Sequence, residues 1–109
     1  MSCLFCKIIK DEIPSDKVFE SDEILAFNDI EPQAPVHVLI IPKKHFSNVK
    51  ETPPEEISKI FSAIKEIAEK LDLEEGFRVV NNCGSLGGQT VDHLHFHLLG
   101  KRQLKWPPG

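Results

Sequence analysis

Residues 93–99 read HLHFHLL, and this segment restricts the local backbone more than any other part of the chain. Three of the five histidines stand here at alternate positions, with leucine and phenylalanine between them. On a helix, residues two apart point to nearly opposite sides, whereas on a β-strand they share one face. The alternation therefore predicts a strand that carries His93, His95 and His97 on one face and apolar core residues on the other.

The spacing and the residue type together indicate a functional site. Neighbouring imidazoles on one strand face stand roughly 6.6 Å apart, since each residue rises by ~3.3 Å. Groups at this separation can share one small polar ligand, such as a metal ion or a phosphate group. A strand face that is merely exposed to water usually carries threonine, lysine or glutamate. We therefore expect the three histidines to bind a ligand or to take part in catalysis.

The length and charge of the chain exclude several classes of protein. Its 109 residues predict a single domain, residues 1–109, large enough to bury a core without disulfides. The net charge of −4 argues against binding to nucleic acid duplexes, because proteins that bind them usually carry a basic patch. Three cysteines, no recognisable secretory segment and no long apolar run predict a cytoplasmic protein with reduced thiols and no membrane association.

The order of the predicted elements indicates an α+β fold. We expect about five mostly antiparallel strands, one long helix on one face of the sheet and a short N-terminal helix. Alternating apolar and β-branched residues predict strands at 17–20, 23–28, 36–42, 77–81 and 93–99. A short helical turn is expected at 3–10.

The segment from Thr52 to Leu71 is the clearest helix. Thr52 is expected to be the N-cap, with Pro53 at the first helical position and Glu55 completing a capping box. Apolar residues then follow the 3.6-residue period, and they are Ile57, Ile60, Phe61, Ile64, Ile67, Ala68 and Leu71. This stripe predicts a helix that packs against the sheet and carries no chemistry.

A glycine-rich loop, CGSLGGQ at 83–89, leads directly into the histidine segment. Glycines let the backbone approach an anion closely, and successive N–H groups can form a concave site for phosphate. Gln89 and Thr90 add donors a few residues before the histidines. A turn explains the paired glycines equally well, so the loop alone is weak evidence.

Imidazole chemistry suits phosphate esters and amides. Neutral imidazole, with an ordinary pKa near ~6.5, attacks phosphorus well at pH 7, and a protonated neighbour can donate to the leaving group. His37 interrupts the apolar strand at 36–42. It is either an ordinary core histidine or, if its strand lies beside the histidine segment, a fourth member of the cluster.

Several motifs make the chain resemble the histidine triad (HIT) family over nearly its whole length. His-φ-His-φ-His-φ-φ, where φ is apolar, is satisfied by residues 93–99 with Gly-Gly-Gln upstream. The segment FNDIEPQAPVHVLIIPKKH at 27–45 resembles the family's other signature block. The ending GKRQLKWPPG resembles the Hint branch of the family in particular.

The resemblance implies a purine nucleoside 5′-monophosphoramidase or a related nucleotidyl hydrolase. It implies His95 as the nucleophile that becomes covalently nucleotidylated, with His93, His97 and His37 sharing protons around it. It also implies a homodimer and a purine nucleotide substrate, with no cofactor needed for catalysis. A dinucleoside polyphosphate hydrolase of the same family is the alternative.

The resemblance further implies a set of nucleotide-binding residues. Asp29 matches the residue that binds the ribose hydroxyls, and Trp106 matches a tail residue that approaches the partner's site. The residues that match the wall of the family's base pocket are Leu4, Phe5, Ile8, Phe27 and Ile30. Those that match the family's polar groups on the phosphate side are Asn82, Gly88, Gln89 and Thr90.

Three positions depart from the pattern that the resemblance brings. Asn28 stands where Hint relatives often have histidine, which affects base or ribose contacts. Leu86 replaces an often acidic position in the glycine loop. Cys3 and Cys6 form a Cys-x-x-Cys pair that animal Hint proteins lack.

Cys3 and Cys6 supply two thiolates at the spacing of a structural zinc site. A tetrahedral site needs two further ligands, and the spare histidines are His45 and His93. Some bacterial members of the family resemble this arrangement. The alternatives are a redox pair or two simply buried thiols.

Two rival functions remain at this stage. The three in-phase histidines could instead hold a catalytic zinc ion with an open coordination position. A metal triad has no need for the Gly-Gly-Gln-Thr segment, which favours phosphate chemistry. The second rival is a nucleotide-binding interaction module without catalysis, which the complete histidine set disfavours.

Overall fold

The structure is a computed structural model and describes residues 3–109. Its strands, in chain order, are β1 Lys17–Glu20, β2 Ile24–Asn28, β3 Val36–Pro42, β4 Phe77–Asn81 and β5 Phe96–Gly100. Its α-helices are the short α1 Leu4–Ile9 and the long α2 Pro54–Lys70, and a 3-10 turn covers Val49–Glu51. The predicted α+β fold is therefore confirmed.

The five strands form one sheet in the order β1-β2-β3-β5-β4, and every neighbouring pair is antiparallel. β3 lies in the centre between β2 and β5, which places His37 directly opposite Leu99 and Leu39 opposite His97. The sheet thus brings His37 and the end of the histidine segment onto neighbouring strands. β4 is an edge strand.

The alternation of side chains along β3 divides the core into two layers. Val38 and Ile40 face α2, where they pack with the fully buried Ile60, Ile64 and Ile67. Burying one such side chain contributes roughly 1.5–3 kcal/mol to folding, so this layer holds the long helix on the sheet. None of the helices in residues 3–109 is both long and apolar enough to cross a membrane.

The opposite face of the sheet is covered by α1. Phe5 and Ile8 of this helix pack against Leu39 and Ile41 of β3 and against β2. Because α1 has only six residues, it covers this face incompletely. The uncovered part of the face is where the functional residues gather.

Two predicted boundaries are wrong, and proline explains both. α2 begins at Pro54 with Pro53 as its N-cap, one residue later than predicted, because a residue that precedes proline avoids helical angles, and Pro53 has ψ 141°. Thr52 instead donates its hydroxyl to the Asn48 carbonyl at 2.7 Å. The capping box is therefore not formed.

β5 begins at Phe96, so His93 and His95 precede the strand. Continuing the β3–β5 register would place Leu94 opposite Pro42, which has no N–H to donate. The Leu94 N–H instead donates to the Phe46 carbonyl at 2.7 Å. The predicted alternation of faces nevertheless holds: Leu94, Phe96 and Leu98 all pack in the core layer against α2. On the other side, Phe5 of α1 meets the His93 and His95 rings, and the His95 and His97 rings lie 5.2 Å apart.

Phe61 also departs from the predicted apolar stripe of α2. Its side chain is 43% exposed, although its ring still meets the Phe96 ring edge-on at 5.4 Å between centroids. The remaining residues of the stripe are buried or packed against the core.

Candidate active site

A cavity of about 530 Å³ opens on the sheet face that α1 partly covers. Most of the residues predicted to bind a nucleotide or to act in catalysis line it. These are Leu4, Phe5, Ile8, Phe27, Asp29, Ile30, His37, Thr90, His95 and His97. The cavity therefore combines an apolar wall from α1 and β2 with a cluster of imidazoles, which suits a ligand with an aromatic part and an anionic part.

His95 presents one ring nitrogen to this cavity. Its Nδ1 lies 2.8 Å from the His93 carbonyl oxygen, which can only accept, so the hydrogen-bond network assigns the ring proton to Nδ1. The Asn81 side-chain amide donates to the backbone carbonyl of His95 itself at 3.0 Å. Neutral His95 thus carries its lone pair on Nε2, the form required of an imidazole nucleophile.

His97 and His37 form a directed hydrogen-bond chain beside the cavity. The Gln33 backbone N–H donates to His37 Nδ1 at 3.0 Å, which places the His37 proton on Nε2. His37 Nε2 then donates to His97 Nδ1 at 2.9 Å, and Asp29 Oδ2 lies 3.4 Å from the same His37 nitrogen. The remaining His97 donor, Nε2–H, is buried and has no partner within residues 3–109. A ligand in the cavity can supply the acceptor.

Burial keeps these imidazoles neutral in the free protein. Burial, followed by the nearby His95 and His37, lowers the pKa of His97 to about 4, against a weaker opposing effect of Asp29. Burial also lowers the pKa of His37, which Asp29 partly offsets. In the free protein, the lowered pKa values favour the neutral forms of His37 and His97. A bound anion favours the protonated form, so a phosphate in the cavity raises these pKa values.

His93 does not line the cavity and faces the two N-terminal cysteines. Its Nε2–H donates to the Pro42 carbonyl at 2.9 Å, which leaves Nδ1 free. Burial lowers the pKa of His93, which favours the neutral form that metals bind. Nδ1 lies 3.4 Å from Cys3 Sγ and 3.1 Å from His45 Nδ1.

The four side chains that the sequence predicted as zinc ligands do come together. The sulfur and nitrogen atoms of Cys3, Cys6, His45 and His93 all lie within 4.8 Å of one another. Tetrahedral zinc, with bonds of roughly 2.0–2.3 Å, holds its ligand atoms roughly 3.3–3.8 Å apart. The observed contacts of 3.1–3.6 Å and the orienting bond from His93 to Pro42 fit such a site.

A second group of possible ligands, Asp29, His37 and His97, fits a metal less well. The Gln33 backbone N–H donates to His37 Nδ1, so the ring proton of neutral His37 is on Nε2. That is the nitrogen that a metal between these three side chains would need. The three in-phase histidines do not converge either, because each uses a different neighbour. The geometry therefore disfavours the alternative in which His93, His95 and His97 share one metal, and within residues 3–109 their ring nitrogens do not form a ligand group.

Four other predicted nucleotide-binding residues do not line the cavity, and they are Asn82, Gly88, Gln89 and Trp106. Gln89 acts within the glycine loop: its Oε1 accepts from the Gly84 N–H at 2.9 Å, and its Nε2 donates to the Ser47 and Val91 carbonyls. Trp106 is 82% exposed. The tail that carries it is held by Arg78, whose guanidinium donates to the Lys105 carbonyl at 2.8 Å.

Sequence reasoning missed several residues of the site. Gln33 acts through its backbone N–H, which no sequence pattern reveals, and Asn81 rather than its neighbour Asn82 contacts the His95 backbone. Ser15 and Asp16 line the cavity from the segment before β1. The available signal was Pro14, next to these two residues, because a proline predicts that the helical segment ends near them.

Comparisons with known proteins point to one family. A family model described as HIT domain matches residues 10–104. A 14 kDa zinc-binding protein from Zea mays is 48% identical, covering 97% of this chain and 87% of its own. Adenylylsulfatase HINT1 from Arabidopsis thaliana is 47% identical, covering 97% of this chain and 76% of its own. The crystal structure of a HIT family hydrolase from Legionella pneumophila Philadelphia 1 superposes with a TM-score of 0.95 at 50% identity, covering 99% of this chain and all of that one.

Proposed function

Because this chain belongs to the HIT domain family, we propose that it is a nucleotide hydrolase, and specifically a purine nucleoside 5′-monophosphoramidase that works through a covalent intermediate on His95. The observation that carries this proposal is the tautomer of His95. Its Nδ1–H is bound to the His93 carbonyl, so the unprotonated Nε2 is directed away from the backbone in a cavity-lining side chain.

The reaction proceeds in two displacements. In the first, the His95 Nε2 lone pair forms a bond to phosphorus while the bond from phosphorus to the leaving amine breaks. The amine takes a proton from the neighbouring imidazole network, which the substrate phosphate has helped to protonate. In the second, water attacks phosphorus, the bond from phosphorus to His95 breaks, and the water proton returns to the network. The products are a nucleoside monophosphate and a free amine.

The other cavity residues bind and orient the nucleotide. His97 Nε2–H has no acceptor among residues 3–109, so it is free to donate to a phosphoryl oxygen of the substrate. Asp29, which is partly exposed beside His37, accepts from the ribose hydroxyls. Phe5 and Phe27, whose ring centroids lie 5.6 Å apart, pack against the base. Phe5 also meets the His95 ring edge-on at 5.1 Å, which fixes the nucleophile next to the base wall.

The name of the Arabidopsis relative supports a second leaving group for the same chemistry. An adenylylsulfatase cleaves a bond between a nucleotide phosphorus and sulfate. Attack by His95 on phosphorus needs only that the bond to the leaving group break, so sulfate can depart in place of an amine. A nucleoside phosphosulfate is therefore the alternative substrate to test first, before dinucleoside polyphosphates.

We further propose that Cys3, Cys6, His45 and His93 hold a structural zinc ion. The name of the maize relative and the convergence of the four ligand atoms support this. With two thiolates and two imidazoles the coordination is complete, so the metal binds no substrate. It ties α1 to the segment that precedes His95.

The test is turnover of adenosine and guanosine 5′-phosphoramidates by the wild type and by His95→Ala. We expect the variant to lose at least about 10³-fold in kcat while it still binds a nucleoside monophosphate, because no other group can replace the nucleophile. The nucleotidyl-histidine adduct is acid-sensitive, so the wild-type reactions should be quenched rapidly. Mass spectrometry should then find a nucleotidyl group on the peptide that carries His95.

Ser62→Ala, on the exposed side of α2, is the matched control and should leave turnover unchanged. An adduct on another residue, or near wild-type activity of His95→Ala, contradicts the proposal. Phosphoramidate turnover that stops with metal removal while the fold persists would favour a metal hydrolase instead.

A further inference from the structure

Three polar side chains interrupt the apolar wall of the cavity. Ser15, Asp16 and Asn28 all line it, and we call them the polar corner. The Asn28 side-chain amide donates to Asp16 Oδ2 at 2.8 Å, and the Asn28 backbone N–H donates to the Asp16 carbonyl at 2.9 Å. Two hydrogen bonds thus fix the segment before β1 against the end of β2, so the corner has a defined geometry.

Ser15 points to a missing ligand group. Its Oγ is buried and has no hydrogen-bond partner within residues 3–109. A buried hydroxyl without a partner lowers stability, so such groups are normally satisfied by protein, water or ligand. Because Ser15 lines the same cavity as His95, the nucleotide that the proposed reaction requires is the natural partner.

The remaining hydrogen-bonding capacity of the corner is rich in acceptors. A carboxylate only accepts, and Asn28 directs its amide nitrogen toward Asp16. The free groups are therefore Asp16 Oδ1, Asn28 Oδ1 and the adaptable Ser15 hydroxyl. The negative charge of Asp16 adds a preference for donors over acceptors.

Guanine matches this pattern better than adenine does. Its Watson–Crick edge offers two adjacent donors, N1–H and the N2 amino group, next to the acceptor O6. Adenine offers one donor, the N6 amino group, beside the acceptor N1, which a carboxylate repels. Asp16 Oδ1 can accept from one of the two guanine donors and Asn28 Oδ1 from the other, while the Ser15 hydroxyl donates to O6.

We propose that Ser15, Asp16 and Asn28 read the edge of the base and make this site prefer guanine nucleotides to adenine nucleotides. This inference rests on the proposed nucleotide hydrolase function. Phe5, Ile8 and Phe27 bind the base face without distinguishing purines, so the polar corner supplies the discrimination.

Calorimetric titration with GMP, AMP and IMP tests the proposal. IMP has the guanine O6 and N1–H but lacks the N2 amino group. We expect the wild type to bind GMP on the order of tenfold more tightly than AMP, with IMP in between, since exposed contacts discriminate less than buried bidentate ones. Asp16→Asn should remove the preference for GMP and leave AMP affinity within about twofold.

Ser15→Ala provides a second variant and should weaken GMP and IMP binding with little effect on AMP. Asp22→Asn is the matched control, since it makes the same change of charge in the exposed β1–β2 turn, outside the cavity. It should keep the wild-type preference.

Equal binding of GMP and AMP by the wild type, with turnover of both phosphoramidates intact, overturns the base assignment alone. A preference for AMP that Asn28→Ala removes overturns it in favour of adenine readout by the amide. Failure of every nucleotide to bind overturns this inference together with the proposed function.

Discussion

At the scale of single residues, the backbone decides what each histidine can do. The Pro42 carbonyl accepts a hydrogen bond from His93 Nε2–H, which leaves Nδ1 of that ring unprotonated. The His93 carbonyl accepts one from His95 Nδ1–H, which leaves Nε2 of that ring unprotonated. Two imidazoles that are two residues apart therefore present opposite nitrogens, one toward a pair of thiols and one in the cavity. Histidine can thus serve both the proposed metal site and the proposed catalysis, because the tautomer of each ring is set locally.

The depressed pKa of His97 makes the stability of the protein depend on pH. The folded-state pKa of about 4 lies below the ordinary value of 6.5, so between these values the unfolded chain binds a proton that the folded chain does not. The contribution of His97 is thus complete above about pH 6.5 and is lost as the pH falls toward 4. His97→Gln should reduce this loss while costing about 0.5–1.5 kcal/mol at pH 7 through the lost bond to His37.

Urea denaturation of both proteins between pH 7 and pH 4 measures the effect. The wild-type free energy of unfolding should fall more steeply with acidification, so that the two curves converge at low pH. Parallel curves would show that His97 does not titrate differently in the folded and unfolded states.

Residue identity could be predicted from the sequence where a side chain acts on the ligand directly. His93, His95 and His97 were predicted as one cluster, with His37 as a fourth member if its strand lies beside them. The structure brings His37, His95 and His97 together around one cavity and leaves His93 outside it. Gln33 and Asn81 could not be predicted, because they act on other residues through contacts that only the folded chain creates. Gln89 was predicted as a phosphate donor from its position, but its side chain is already fully engaged by the loop.

At the scale of elements, α1 needs help from outside itself. A helix of six residues is far too short to be stable alone, since helix nucleation is unfavourable. Phe5 and Ile8 anchor it to the sheet, and the Cys3 Sγ accepts from the Cys6 N–H at 3.3 Å as its N-cap. The proposed zinc ion adds a cross-link from this turn to His45, beyond β3, and to His93, before β5.

Removal of the metal should therefore destabilise the protein. We expect a strong chelator to lower Tm by at least about 5 °C, which corresponds to roughly 1 kcal/mol for a domain of this size. Elemental analysis of the purified wild type should find one zinc ion per chain. The double variant Cys3→Ser/Cys6→Ser should contain no zinc, melt at the lower temperature and ignore the chelator.

Cys83→Ser is the matched control, because Cys83 is a free cysteine outside the ligand group. It should bind zinc and respond to the chelator as the wild type does. A metal-free wild type that is as stable as the double variant would leave two ordinary thiols in place of a metal site.

The elements themselves were predictable, and their ends were not. Hydrophobic periodicity gave α2 and all five strands, because packing on one face repeats along the sequence. The starts of α2 and β5 depend instead on Pro54 and on Pro42 across the ladder. The second of these is a contact between distant residues, so no local pattern contains it.

At the scale of the whole molecule, β4 leaves one edge of the sheet without a partner strand in residues 3–109. Phe77 on this strand is 44% exposed, and Arg78 holds the tail with the exposed Trp106 beside it. Unpaired strand edges with apolar side chains readily pair with another chain. The apolar stripe of α2 is used by the core of one chain, as the sequence predicted, so it is not the surface that a second chain would cover.

This edge leads us to predict a homodimer. Pairing through β4 would satisfy its outer backbone groups and cover Phe77, so sedimentation velocity at micromolar concentration should give twice the chain mass. Phe77→Asp should shift the protein toward monomer, because a carboxylate would have to be buried in the contact. Leu86→Asp is the matched control: Leu86 is fully exposed, lies in the glycine loop outside β4, and its substitution should leave the dimer intact. A wild-type monomer would contradict the predicted dimer, and equal dissociation by both variants would place the contact elsewhere.

Deletion of residues 104–109 tests the role of the tail separately. If the tail reaches the site of the second chain, the loss of Trp106 should change substrate preference more than stability.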